Sequence, residues 1–216
     1  AAAHKHVPMM EWNPAEAVKN NLLGTQVVAD LADSLAVERF VMISTDKAVN
    51  PINLYGATKL VAEKLMVQAN SYRGDLPTRF SCCRYGNVVG SRGSVVPKFL
   101  QQRESGAGKL TVTDDRMTRF WITMEQGVEL VIKAMELSTG GEVFISRIPS
   151  CRITDLARAI LPDAEFEIIG VRPGEKLNEV LVSEEECHHV VRRGDYYLRF
   201  RHMDRRVFRE EVRRWL

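Results

Sequence analysis

Apolar positions run along the chain in two alternating rhythms. From Asn13 to about Ser34 they recur at helical spacing, and Asn13-Pro14-Ala15-Glu16 reads as an N-cap, a proline at the first helical position and a capping-box glutamate. Phe40 to Ile43, within Arg39-Phe40-Val41-Met42-Ile43-Ser44, is continuously apolar, as in a strand buried on both faces. Tyr55 to about Tyr72 is amphipathic again, and Phe80-Ser81-Cys82-Cys83-Arg84-Tyr85 reads as a second short buried strand. Helix, strand, helix, strand at this spacing predicts βαβ units and a parallel sheet.

Past Gly93 the rhythm loosens. Val95 to about Ser105, Glu125 to Ser138 and a stretch opening at Ile153 carry helical periodicity, while Lys109 to Thr113, Met117 to Ile122, Glu142 to Ser146 and Phe166 to Ile169 read as extended pieces. The predicted fold is α/β, a doubly wound parallel sheet with a smaller mixed α/β lobe attached. The 216 residues, 45% hydrophobic and 27% charged, suit one sizeable core. Apolar runs fall short of the roughly 18 residues a membrane span needs, and the first residues form no signal peptide, so a soluble, cytoplasmic protein is expected.

Charge changes the picture only when divided along the chain. Of a net +2, residues 192–216 hold nine arginines against four acids, which leaves the rest at −3. Tyr196, Tyr197, Phe200, Phe208 and Trp215 interleave with those arginines as in a nucleic-acid surface, but Arg205 to Leu216 equally fits an amphipathic helix, and no nucleic acid is expected. The four cysteines show no C-x-x-C spacing, which points to buried strand thiols in a reducing compartment. His4, His6, His188 and His189 lack further ligands in the sequence, so no metal is expected.

Candidate chemistry gathers where strands end. Ligands of open α/β sheets lie outside the carboxyl ends of the strands, and Thr45, Asp46 and Lys47 stand at such an end. Tyr55 and Lys59 lie at i and i+4 near a helix N-terminus, where a cation lowers a phenol's pKa toward that of a usable base. The same spacing fits an ordinary solvated helix face. The second strand leads into Asn87 and Arg92 among Gly86, Gly90 and Gly93, whose missing side chains let backbone approach a ligand. Arg116, Arg119, Arg172 and Lys176 suit an anion such as a diphosphate, or are simply solvated. No G-x-G-x-x-G dinucleotide fingerprint occurs.

Together Ala1 to Pro8, Ser44 to Lys59, Arg84 to Pro97, Met117 to Thr123 and Gly170 to Glu179 resemble the extended short-chain dehydrogenase/reductase family. Within it the chain is most similar to the inverting UDP-N-acetylglucosamine 4,6-dehydratases of bacterial pseudaminic-acid synthesis, which serve flagellin and surface-glycan glycosylation. The resemblance implies a hydro-lyase with Thr45, Asp46, Lys47, Tyr55 and Lys59 catalytic. Ala1, Lys5, Asn21, Tyr55, Lys59, Val88 and Val89 would face the cofactor, taken as NADP over NAD by resemblance alone. Lys5, Asn87, Arg92, Arg119, Arg172 and Glu175 would face a UDP-N-acetylhexosamine. Lys47 is the discriminating residue, because relatives that retain C5 configuration carry Glu there. Another dehydratase, epimerase or reductase of this fold, or a non-catalytic scaffold, is the alternative.

The resemblance also implies a division of the chain. Residues 1–93 would be the second part of a Rossmann-type dinucleotide-binding domain, 94–185 mainly the substrate lobe, and 186–216 a divergent basic tail. Pairing through helices 14–34 and 55–72 into a homodimer or larger assembly is expected. Upstream of Ala1 about 90 residues are expected, at roughly 30 per βα unit. The sheet edge left open would make this chain poorly soluble.

Overall fold

The computed structural model describes residues 3–72, 74, 76–106, 108–201, 209, 212 and 213. Helices α1 (Val7–Trp12) and α2 (Pro14–Val18) lead through a π turn at Lys19–Leu23 into α3 (Gly24–Ser34). Next come β1 (Arg39–Ile43), a 3-10 turn at Asp46–Ala48, α4 (Leu54–Tyr72), β2 (Arg79–Arg84) and the two-residue β3 (Asn87–Val88). The second lobe brings α5 (Val95–Glu104), β4 (Lys109–Val112) and β5 (Thr118–Ile122). α6 (Met124–Leu137) and β6 (Val143–Ser146) return to the main sheet. β7 (Ser150–Arg152), α7 (Ile153–Ile160) and β8 (Glu165–Ile168) complete the lobe, and α8 (Glu184–Cys187), β9 (Val190–Arg193) and β10 (Tyr196–Arg199) follow.

The main sheet has the order β1-β2-β6-β10-β9. β1, β2 and β6 run parallel, with Ile43 opposite Cys83 and Cys82 opposite Val143. Successive strand residues point to opposite faces. Cys82 and Val143 therefore join Met42, Met66 and Phe80 beneath α3 and α4, whereas Cys83 and Phe144 pack under Leu130 and Ala134 of α6. A sheet covered on both faces has no polar stripe, which is why its strands read as unbroken apolar runs. The adjacent cysteines are buried free thiols, as expected, and burial pushes that of Cys83 up to about 12. A separate core of Phe99, Leu110, Val112, Met117, Ile153 and Ala157 holds the second lobe.

Three features depart from the sequence expectation. Helix begins at Val7 and breaks at Asn13, because the residue before a proline is driven from the α region; Asn13 sits at φ −129°, ψ 63°, and its side chain donates back to Met9 O at 2.9 Å instead of capping α2. Glu16 closes no capping box and instead pairs with exposed Lys19. Second, β9 and β10, which the sequence assigns to a tail, extend the main sheet as a hairpin turned by Gly194 at φ 59°. The proposed helix over 205–216 lies largely outside the described residues, although Val212 packs against the α6-side core. Third, Gly86 and Gly93 bring backbone close to this chain itself, with no ligand needed to explain them. An added Cβ would fall 2.5 Å from Phe120 Cβ at Gly86 and 2.3 Å from the His6 ring at Gly93.

β1 is an edge strand among the described residues. The opening Ala1-Ala2-Ala3 reads in the sequence as the end of a neighbouring sheet strand; Ala1 and Ala2 lie outside the described residues, and Ala3 is in no strand.

Candidate active site

β1 and β2 end side by side, and the chain leaving each is pinned to the other: Ser44 N donates to Cys83 O at 2.7 Å and Asp46 N to Tyr85 O at 3.1 Å. This closes the Asp46–Ala48 turn over the sheet. Helix α4 then packs on the turn through Gly56, where an added Cβ would stand 2.1 Å from Lys47 O, so only glycine lets helix and turn approach this closely. The Asn53 side chain accepts from Gly56 N at 2.7 Å and donates to Gly174 O at 2.7 Å, tying the 172–176 loop to the start of the helix.

Thr45, Lys47 and Tyr55 thereby reach one cleft of about 840 Å³ between sheet and second lobe. Asp46 lies fully buried behind them. Its Oδ1 accepts from Thr45 Oγ1 at 2.9 Å and Lys47 Nζ at 3.0 Å, while Oδ2 has no hydrogen-bond partner. Lys47 Nζ also donates to Asn87 Oδ1 at 3.3 Å and stands 3.5 Å from Glu179 Oε1. Burial alone would lower the Lys47 pKa, but Asp46 and Glu179 outweigh it and Arg119 opposes them, so the amine is held above the ordinary lysine range.

The lowered Tyr55 phenol predicted from the sequence is not what this arrangement produces. Burial raises its pKa; Lys47 and the Thr45 hydroxyl pull it down without prevailing, and Asp46 adds to the rise. The cation acting on the phenol is Lys47, whereas Lys59, buried beneath the turn, gives its ammonium to Ile43 O at 2.9 Å. Burial also lowers the Lys59 pKa.

The other predicted residues divide. Lys5, Asn87, Val88, Arg119, Arg172 and Glu175 line the cleft with Thr45, Lys47 and Tyr55. Arg119 spends its guanidinium on the carbonyls of Thr118, Lys176 and Leu177, which holds the loop beside it, and Arg172 pairs with Glu175. Arg92 and Val89 are exposed and form no part of the cleft wall. Asn21 is buried in the π turn, where its side chain clasps both main-chain groups of His4 at 2.9 Å. Ala1 lies outside the described residues. Sequence reasoning missed Glu179, whose only signal was its place in a matched segment. It also missed Arg84, which is completely buried against Glu63 at 2.6 Å and Glu186 at 2.7 Å. Among the described residues no three His, Cys, Asp or Glu side chains gather as a metal site.

Reactive side chains at the carboxyl ends of parallel strands, facing a smaller lobe, define a doubly wound α/β protein of the short-chain dehydrogenase/reductase type. The family described as polysaccharide biosynthesis protein matches residues 1–200, and the chain belongs to it. It is 52% identical over 197 residues to a UDP-N-acetylglucosamine 4,6-dehydratase (inverting) of Campylobacter jejuni, covering 91% of this chain and 59% of that protein. A UDP-glucose 4-epimerase of Rickettsia rickettsii is 41% identical, with 91% and 59% covered. The crystal structure of Pen from Bacillus thuringiensis superposes with a TM-score of 0.88 at 40% identity, over 92% of this chain and 63% of that one. The chain thus spans about three fifths of the length of these relatives. None of its described helices is long and apolar enough to cross a membrane.

Proposed function

We propose that this chain carries the catalytic residues of a cytoplasmic nucleotide-sugar 4,6-dehydratase that inverts C5. Its substrate is UDP-N-acetylglucosamine, and the product leads toward pseudaminic acid and surface or flagellin glycans. The observation that carries this reading is Lys47 Nζ, 3.0 Å from buried Asp46 in a cleft shared with Tyr55. Identity to the Campylobacter jejuni dehydratase supports it.

The residues present fit the reactive end of a nicotinamide dinucleotide. Tyr55 stands in the cleft wall, with Lys59 beneath the turn at the end of β1 and the apolar Ile43 and Val88 alongside. Bound there, NADP, or NAD in its place, would accept hydride from C4 of the sugar and return it at C6. Tyr55 would take the proton of the 4-hydroxyl. The resulting ketone acidifies the C5 hydrogen, which neutral Lys47 removes. Asp46, hydrogen-bonded to Lys47 Nζ at 3.0 Å, would help the 6-hydroxyl depart as water, the leaving oxygen taking the proton that Lys47 has received. Reprotonation of C5 on the opposite face leaves an inverted 4-keto-6-deoxy sugar.

Incubating the full-length chain with NADP and UDP-N-acetylglucosamine should yield a sugar nucleotide lighter by one water in the mass spectrum. A product of unchanged mass would favour the epimerase reading that the Rickettsia rickettsii relative suggests.

Assembly through the helical segments 14–34, which is α2, the π turn and α3, and 55–72 of α4 belongs to the same proposal. Leu23 at the end of the π turn, Val27 and Leu31 on α3 and Val61 on α4 are exposed apolar side chains. Sedimentation of the full-length chain as a dimer or larger species at micromolar concentration is expected, and a monomer would contradict this.

A further inference from the structure

A base must be neutral to remove a proton, yet two carboxylates flank Lys47. Asp46 is fixed by the turn and the Thr45 hydroxyl. Glu179 comes from a different segment, beyond the loop that bears Arg172 and Glu175, and is 7% exposed. Its Oε1 lies 3.5 Å from Lys47 Nζ and its Oε2 lies 3.6 Å from Lys176 Nζ. Neither contact is a hydrogen bond, and Oε2 is buried with no hydrogen-bond partner at all. Lys176 in turn donates to Val49 O, just past the catalytic turn. A buried carboxylate this poorly satisfied between two ammonium groups is costly, and such groups cluster where charge is being tuned.

We infer that Glu179 is a positioning residue for Lys47, and that its charge, shared with Lys176, sets the pH at which Lys47 releases its proton to become a base. The inference rests on the reading of Lys47 as that base. Proton balance is simple: Lys47 ammonium gives up one proton to its surroundings and later receives the C5 proton, while Glu179 acts through its charge and transfers no proton. The other groups that act on Lys47 are Asp46 on its own turn, Asn87 on β3, Arg119 on β5 and Tyr55 on α4; of these only Asp46 is a carboxylate. Removing the Glu179 charge therefore takes away one of two anions that favour ammonium. An opposite charge within about 4–6 Å moves a pKa by roughly 1–3 units, so the shift is large enough to measure.

The test reads Lys47 without turnover. The full-length chain is labelled with a small acylating reagent across a pH series, and modification of the Lys47 peptide is quantified by mass spectrometry. In Glu179→Gln the labelling midpoint is expected to fall by about one pH unit or more, and Glu179→Asp should restore most of it. Lys176→Met should move the midpoint upward, and that shift should vanish in the double variant Lys176→Met/Glu179→Gln. A midpoint unchanged in Glu179→Gln, or a Lys176→Met shift that persists in the double variant, overturns the inference. Because labelling needs no substrate, a chain that acts on another sugar would leave this result intact. In the proposed reaction, the acid limb of kcat/KM should follow the labelling midpoint downward.

Discussion

Replacing Lys47 by Met is expected to lower turnover of the full-length chain by about 10³-fold, the usual yield of a positioned acid or base. Two effects would act together. The amine proposed to take the C5 proton is gone, and Asp46 and Glu179 lose the cation lying 3.0 and 3.5 Å from them. Lys47→Arg separates these effects, since guanidinium keeps the charge but does not deprotonate in a protein. Both variants should be inactive in dehydration, with Lys47→Arg closer to the parent in thermal unfolding. Because the pair of carboxylates holds Lys47 above the ordinary lysine range, kcat/KM of the parent should rise with pH through neutrality. A Lys47→Arg variant that dehydrates within tenfold of the parent would remove the base assigned here.

The second large effect is on stability. Arg84→Met should cost about 3–5 kcal/mol, the range for stranding one partner of a buried ion pair. Arg84 Nη2 meets Glu63 at 2.6 Å, Nη1 meets Glu186 at 2.7 Å and Leu181 O at 2.9 Å, and its side chain is wholly buried. The cluster joins β2, α4 and α8, and Ser44 Oγ donates to the same Glu63, so the end of β1 that leads into the Asp46–Ala48 turn rests on it. Burial alone would raise the Glu186 pKa; hydrogen bonding and charge from Arg84, with charge from Arg199, outweigh it and hold the carboxyl below its ordinary range. A depressed folded pKa gives stability that is present above the unfolded value of about 4.3 and lost as pH falls through the folded one. Urea unfolding at neutral pH should show the loss in Arg84→Met. Part of that loss should return in Arg84→Met/Glu63→Gln, which no longer buries an unpaired carboxylate. A single variant within about 1 kcal/mol of the parent, the level of an exposed pair, would show that the cluster is not what holds these elements together.

Much of the sheet was legible because its signal is local. Phe40 to Ile43 and Phe80 to Cys83 are apolar without a polar stripe, and a strand covered on both faces is the structure that tolerates this. That Thr45, Lys47 and Tyr55 would meet in one cleft was legible by position at strand ends together with the family resemblance. What escaped depends on distance along the chain. Arg84 finds Glu63 and Glu186 at separations of 21 and 102 residues, and nothing around Arg84 announces either partner. Gly86 reads as a ligand-binding glycine until Phe120 is seen to occupy the space. The Tyr55 phenol looked acidic by its spacing from Lys59, but burial, which spacing does not report, decides the direction. Gly194-Asp195 between β-forming residues was a hairpin signal. The arginine density drew attention to charge and hid it.

The most direct measurement of the C5-inverting chemistry is the configuration and isotope content at C5 of the product formed in deuterated water. With UDP-N-acetylglucosamine, NADP and the full-length chain, the expected product has inverted C5 and carries deuterium there, because Lys47 takes the proton and solvent-exchanged hydrogen returns from the other face. Retained configuration, or C5 without deuterium, would contradict the account.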